Sequence, residues 1–212
     1  MISGRRAGLN CMDTENMTMP TPDLEPAARQ VAELLHGIED HRLTDPTPCP
    51  DYAVRDLLAH LVGLTTAFRD AARKAFGPTT DTSPDAALPV LPDGWRDTLP
   101  PLLDELVAAW RDPAARQGMT RAGGVDLPGE VAHMVALNEL VIHGWDLARS
   151  TGQKYEADEA NLRVSLAMTT PSDDNPLPES PFGPPVPVPA DAPLADRAVA
   201  MSGRRPDWRP GS

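Results

Sequence analysis

The chain has 212 residues, 41% of them hydrophobic and 24% charged, which excludes a mainly disordered protein and fits one soluble globular domain, with or without appendages. Its 25 prolines, roughly twice the usual share of about 5%, exclude a continuous long helix or coiled coil, and only nine residues are aromatic (three Phe, two Tyr, four Trp). Thirty-one acidic against 19 basic side chains give a net charge of -12, a field that repels phosphate backbones and argues against nucleic acid as a partner.

In the first 20 residues Arg5, Arg6, Asp13 and Glu15 leave no apolar run, so residues 1–20 read as a disordered leader and not as a signal peptide. Met12, Met17 and Met19 are each candidate translation starts. No window approaches the roughly 18–20 apolar residues of a membrane span. Cys11, in the leader, and Cys49, in a Pro-rich turn, belong to no CxxC pair or disulfide framework, which suits a reducing cytoplasm.

From Leu24 the spacing of Ala27, Ala28, Val31, Leu34, Leu35 and Ile38 predicts an amphipathic first helix ending near Asp40, with His36 and His41 at its cation-favouring C-terminus. The prolines of TDPTPCPDY interrupt the chain. Val54, Leu57, Leu58, Leu61, Val62, Thr65, Phe68 and Ala72 then predict a second helix, with Asp51 as the expected cap. GPTTDTSPDAALPVLPDG reads as a loop. Leu99, Leu102, Leu103, Leu106, Val107 and Trp110 mark a third helix opened by Pro100 and Pro101. Residues 113–128 fit either an irregular connector or a short hairpin.

A fourth helix is expected from about Gly129 to Ser150, terminated by Gly152, and a fifth is capped by Asp158 and stops before Pro171. The Pro-rich stretch 171–193 lacks the backbone donors of a helix or sheet and should run extended to a last helix, Leu194 to Ser202, closed by Gly203. Arg204, Arg205 and Arg209, like Arg5 and Arg6, read as solvated ends. Four substantial helices without alternating strands argue for an all-α bundle. The expected organisation is the leader 1–20, a bundle with a fifth helix over 21–170, and a Pro-rich extension with the C-terminal helix, 171–212, packed on it.

The segment NELVIHGWDLA carries the most chemistry, because Glu139 and His143 at i,i+4 share a helix face and can converge on one cation. His60, inside LLAHLVGL on the second helix, is a third candidate ligand. Two His and one Glu resemble catalytic more than structural zinc, since structural sites are usually closed by four ligands and rich in Cys. A solvated Glu–His pair and a core histidine with a hydrogen-bond partner fit the same spacing. His133 points away, about 240° around the helix from Glu139. Cys49 has no basic or histidine neighbour in sequence to lower its pKa and reads as a small buried apolar residue.

The pieces TPCPDYAVRDLLAHLVG, NELVIHGWDLARSTGQ and PFGPPVPVPADAPLADRAVAMSGRRPDW, in that order, resemble the actinobacterial-type metal-binding family related to the mycothiol-dependent maleylpyruvate isomerase, within the DinB-like superfamily. The resemblance covers about residues 24–209. It implies a DinB-like four-helix bundle whose metal, commonly zinc, is held at the positions of His60, Glu139 and His143. The family usually carries Thr or Ser before VRDLL; here Ala53 stands there, so the hydroxyl half of a capping box is missing. Asp56 is either an exposed first-turn acid or an acceptor for the second nitrogen of His60. Trp145 is expected in the core and Asp146 paired with an Arg.

The reading implied is a cytoplasmic divalent-metal protein, with zinc expected and nickel the alternative. It would use mycothiol as a thiol cosubstrate in an S-transferase or isomerase reaction on a small electrophile. A non-catalytic metal-stabilised binding module and a metal-dependent hydrolase are the rival readings. No nucleic-acid or membrane partner is expected, and the chain would be a monomer or homodimer.

Overall fold

A computed structural model describes residues 22–83, 90–171 and 183–211. The expected leader, with Cys11, and the middle of the Pro-rich stretch lie outside the described residues. The described chain is mostly helical: α1 (Glu25–Leu35), a 3-10 turn (Asp40–Thr44), α2 (Val54–Ala72), α3 (Pro78–Asp81), α4 (Trp95–Arg111), α5 (Pro113–Arg116), a hairpin of β1 (Met119–Ala122) and β2 (Val125–Pro128), then α6 (Gly129–Thr151), α7 (Glu159–Thr169) and α8 (Leu194–Met201). None of the described helices is long and apolar enough to cross a membrane.

Four helices close a ring, in which α1 packs on α4 and α6, and α2 packs on the same two. Leucine, valine and alanine fill the centre: Val31, Leu34, Leu57, Leu61, Leu99, Leu103, Leu106, Leu137 and Leu140 are all essentially inaccessible. Because α7 covers a further side of α6, that helix is buried around most of its circumference from Ala136 to Ala148, and polar side chains on it must find partners inside the protein. The C-terminal α8 packs in turn on α7.

Several boundaries differ from expectation for local reasons. The first helix ends at Leu35 instead of Asp40, because Gln153 Nε2 donates to the Leu34 carbonyl (2.9 Å) and its amide fills the space a side chain at Gly37 would need. Asp51 does not cap α2. Ala53 is the capping residue, and Asp56 Oδ2 accepts from its N–H at 3.0 Å, so the acidic half of a capping box operates without the hydroxyl half.

The third long helix starts at Trp95, leaving Pro100 and Pro101 inside it. Trp95 is buried, and the neighbouring Arg96 Nη2 donates to the Ile38 carbonyl (2.7 Å) and to Asp40 (2.8 Å), which anchors the earlier start. The segment 113–128 resolves into α5 and a two-stranded antiparallel hairpin pairing Met119 with Pro128 and Ala122 with Val125. Its turn needs two consecutive residues with positive φ, supplied by Gly123 (61°) and Gly124 (76°). In the described part of the Pro-rich stretch, Val186 N–H donates to the Ala200 carbonyl (2.9 Å), tying it to α8.

Candidate metal centre

The TPCPDY turn and the start of α2 place His60. The turn is closed by Val54 N–H donating to Asp45 O (3.0 Å) and by the Thr47 hydroxyl donating to the Tyr52 carbonyl (2.7 Å). This sets the Tyr52 ring 5.4 Å from the His60 ring and 6.4 Å from that of His143. From there Leu57 and Leu61 face the core while His60 looks across to α6.

On α6 the i,i+4 spacing does what the sequence requires. Glu139 Oε2 lies 3.3 Å from His60 Nε2 and 3.1 Å from His143 Nε2, and the three donor atoms lie within 4.8 Å of one another. The two imidazole rings meet edge to face at 4.9 Å. Ligand atoms at about 2.0–2.1 Å from a tetrahedral ion are separated by about 3.3–3.4 Å; the Glu139–His60 distance matches such an edge and the Glu139–His143 distance is slightly shorter. The donor set, two imidazole nitrogens and one carboxylate oxygen, suits a borderline divalent cation. Side-chain exposure falls from 28% at His60 through 14% at Glu139 to 5% at His143, so solvent reaches the cluster from the His60 side.

The electrostatics follow from burial and hydrogen bonding. Burial pushes the Glu139 carboxyl up, but hydrogen bonds from His143 and His60 outweigh it and hold the group well below the usual carboxylate range. For His143 burial pushes down, while its bonds to Asp146 and Glu139 outweigh that and raise it to about 9. Cys49 is half-buried and not the fully buried residue its sequence context suggests, and this partial burial drives its thiol up to about 11.

Asp146 was legible only as the partner of an arginine. The structure adds that Asp146 Oδ2 accepts from His143 Nδ1 at 3.0 Å, a contact whose sequence signal is their i,i+3 spacing. The arginine is Arg204. Its expected place as a solvated end is wrong: it is 4% exposed, with Nε and Nη2 on the Asp146 oxygens at 3.3 and 3.0 Å. Tyr52 lies beside both imidazoles, and nothing in its sequence spacing marks it.

Of the two readings open for Asp56, the structure bears out the first-turn acid, which accepts from the Ala53 N–H and not from His60. Trp145 is in the core, with the Arg149 guanidinium 5.2 Å from its ring. His133 is buried on the side away from Glu139, 5.3 Å from Trp110. His36 Nδ1 sits 3.2 Å from the Glu33 carbonyl at the end of α1, and His41 pairs with Glu39 on the surface.

Comparison with known proteins adds three findings. The family described as "Mycothiol maleylpyruvate isomerase N-terminal domain" matches residues 24–148. Two uncharacterized proteins, from two strains of Mycobacterium tuberculosis, are each 29% identical over 186 residues, covering 82% of this chain and 91% of theirs. The crystal structures of the mycothiol-dependent maleylpyruvate isomerase and of a histidine-to-alanine mutant of it share the fold, with TM-scores of 0.53 and 0.55 at 19% identity, over 70% of this chain and 67% of those chains.

Proposed function

The chain belongs to the mycothiol maleylpyruvate isomerase N-terminal domain family, and from that premise we propose that it is a zinc-dependent cytoplasmic enzyme using a low-molecular-weight thiol such as mycothiol to transfer to, or isomerise, a small electrophile. The observation that carries this reading is the convergence of His60 Nε2, Glu139 Oε2 and His143 Nε2 at one partly exposed point. When bound there, the ion would supply the Lewis acidity that makes a thiol or water deprotonate near neutral pH.

The residues of the chain divide the remaining work. His60, Glu139 and His143 would hold the ion, and with three protein ligands would leave it open to an exogenous one. Asp146 fixes the imidazole of His143 so that Nε2 faces Glu139, since its carboxylate takes the Nδ1 proton as a hydrogen bond. Tyr52 forms an aromatic wall against both imidazoles and limits how a thiol approaches. Partial burial raises the Cys49 thiol, which disfavours it as the nucleophile and leaves that role to an exogenous thiol.

The test is a thiol-dependent turnover assay with metal-loaded protein, mycothiol and a panel of electrophiles that includes maleylpyruvate. The reading expects turnover that disappears with the thiol or the metal. Turnover of none of the panel by protein that holds stoichiometric metal would favour a non-catalytic binding module, and hydrolysis without thiol would favour a hydrolase.

A further inference from the structure

We infer that Arg204 is a positioning residue for the metal centre, clamping the carboxylate that orients His143, so that the chain segment after α8 helps set metal affinity. The inference rests on the reading that His60, Glu139 and His143 hold a metal ion. It adds a requirement lying outside residues 24–148, where the family match ends.

The chain of contacts runs outward from His143. A metal-ligating imidazole is useful only if its ring is held in one orientation, and the group that holds it is the acceptor on the other nitrogen. Here that acceptor is Asp146 Oδ2, 3.0 Å from Nδ1, on a side chain with no solvent exposure. A carboxylate one turn along the same helix has other rotamers available. The Arg204 fork selects one, because Nε and Nη2 reach Oδ1 and Oδ2 at 3.3 and 3.0 Å, a two-point grip that fixes the plane of the carboxylate.

Arg204 is itself held in place by the chain around it. Gly203 turns the chain out of α8 with φ 76°, the Arg204 N–H donates to the Val199 carbonyl (3.0 Å), and Arg204 Nη1 donates to the Ser202 carbonyl (2.7 Å). Two residues on, the Pro206 carbonyl accepts from Arg149 Nη2 at 2.6 Å. Asp146 and Arg149 are one turn apart on α6, so the segment 204–206 is clasped to the ligand-bearing helix at two adjacent points.

The experiment titrates zinc against a competing chelator using the full-length wild type and the Arg204→Met, Arg204→Gln and Arg204→Lys variants. Cobalt(II) absorption spectra report the ligand field, and urea unfolding of the metal-free chains reports the fold. We expect Met and Gln to weaken zinc binding about 10–100-fold, with shifted cobalt bands, a partial return toward wild type in Lys, and cooperative unfolding retained. Should the Met variant not fold, the Gln variant is read in its place.

A folded uncharged variant with wild-type Kd and cobalt spectrum overturns the inference. So does an equal loss in all three variants accompanied by loss of cooperative unfolding, which assigns Arg204 to general stability. Wild-type protein that binds neither zinc nor cobalt overturns the metal reading itself, and this inference with it.

Discussion

The buried Asp146–Arg204 pair makes the strongest energetic prediction for the metal-free protein. Asp146 is 0% exposed and Arg204 4%, with donor–acceptor distances of 3.3 and 3.0 Å, so neither charge is substantially screened by water. Replacing Asp146 with Asn keeps the shape and removes the negative charge that faces the guanidinium. Taking one partner from a buried pair costs about 3–5 kcal/mol, because the remaining charge stays desolvated. In a chain of this size each kcal/mol moves Tm by about 2–4 °C, so Asp146→Asn should lower Tm by about 6–20 °C. Arg204→Met leaves the Asp146 carboxylate with the His143 imidazole as a remaining partner and should cost less. The double variant keeps neither charge, so its loss should fall at least about 2 kcal/mol short of the sum. The assay is urea unfolding of the four chains in EDTA. Losses that add to within about 0.5 kcal/mol, or a cost below about 1 kcal/mol for Asp146→Asn, would refute the reasoning.

Other consequences follow from neighbouring features. His133 is 1% exposed, its Nδ1 has no hydrogen-bond partner, and burial lowers it from 6.5 to about 4. The unfolded chain therefore binds the proton first. The contribution is complete above about pH 6.5 and is lost as pH falls toward 4, by about 3 kcal/mol at most; His133→Leu should flatten that limb in urea unfolding measured at a series of pH values. For metal uptake the sign is the same but the group differs. His143, raised to about 9, is protonated at pH 7.5, so zinc binding there should release about one proton and weaken as pH falls; calorimetry in buffers of different ionisation enthalpy reads this, and no proton release contradicts it. Gly144 meets a packing limit, since a Cβ there would lie 3.1 Å from Tyr155 Cε2 and 3.3 Å from Val31 Cγ2. Gly144→Val should cost about 2 kcal/mol in chemical denaturation, and unchanged stability would show that Tyr155 can withdraw.

What the sequence made legible follows from how far each signal reaches along the chain. The periodicity of α2 and α6 placed His60 on one helix and Glu139 with His143 on another, because i,i+4 geometry is local and buried leucines fix the helix faces. The start of α4 was misplaced because Pro100 and Pro101 resemble opening residues, while the buried Trp95 and the bond from Arg96 to Ile38 that set its true start are tertiary. The same reason hid Arg204. In sequence it stands among arginines at a polar end, and only the packing of α7 on α6 and α8 on α7 carries it to Asp146. Asp56, four residues before His60, has the spacing of a partner for a ligand histidine, yet the helix N-terminus claims it first through the Ala53 N–H. The proline excess marked the TPCPDY turn, but not that this turn would bring Tyr52 against both imidazoles.

The most direct test of the account is the metal stoichiometry of the purified chain after equilibrium dialysis against zinc or nickel, compared with the triple variant His60→Ala, Glu139→Ala and His143→Ala. Convergence of the three donor atoms within 4.8 Å predicts one ion per wild-type chain and none retained by the triple variant. A wild type without stoichiometric metal, or a triple variant that keeps its ion, would contradict the account at its centre.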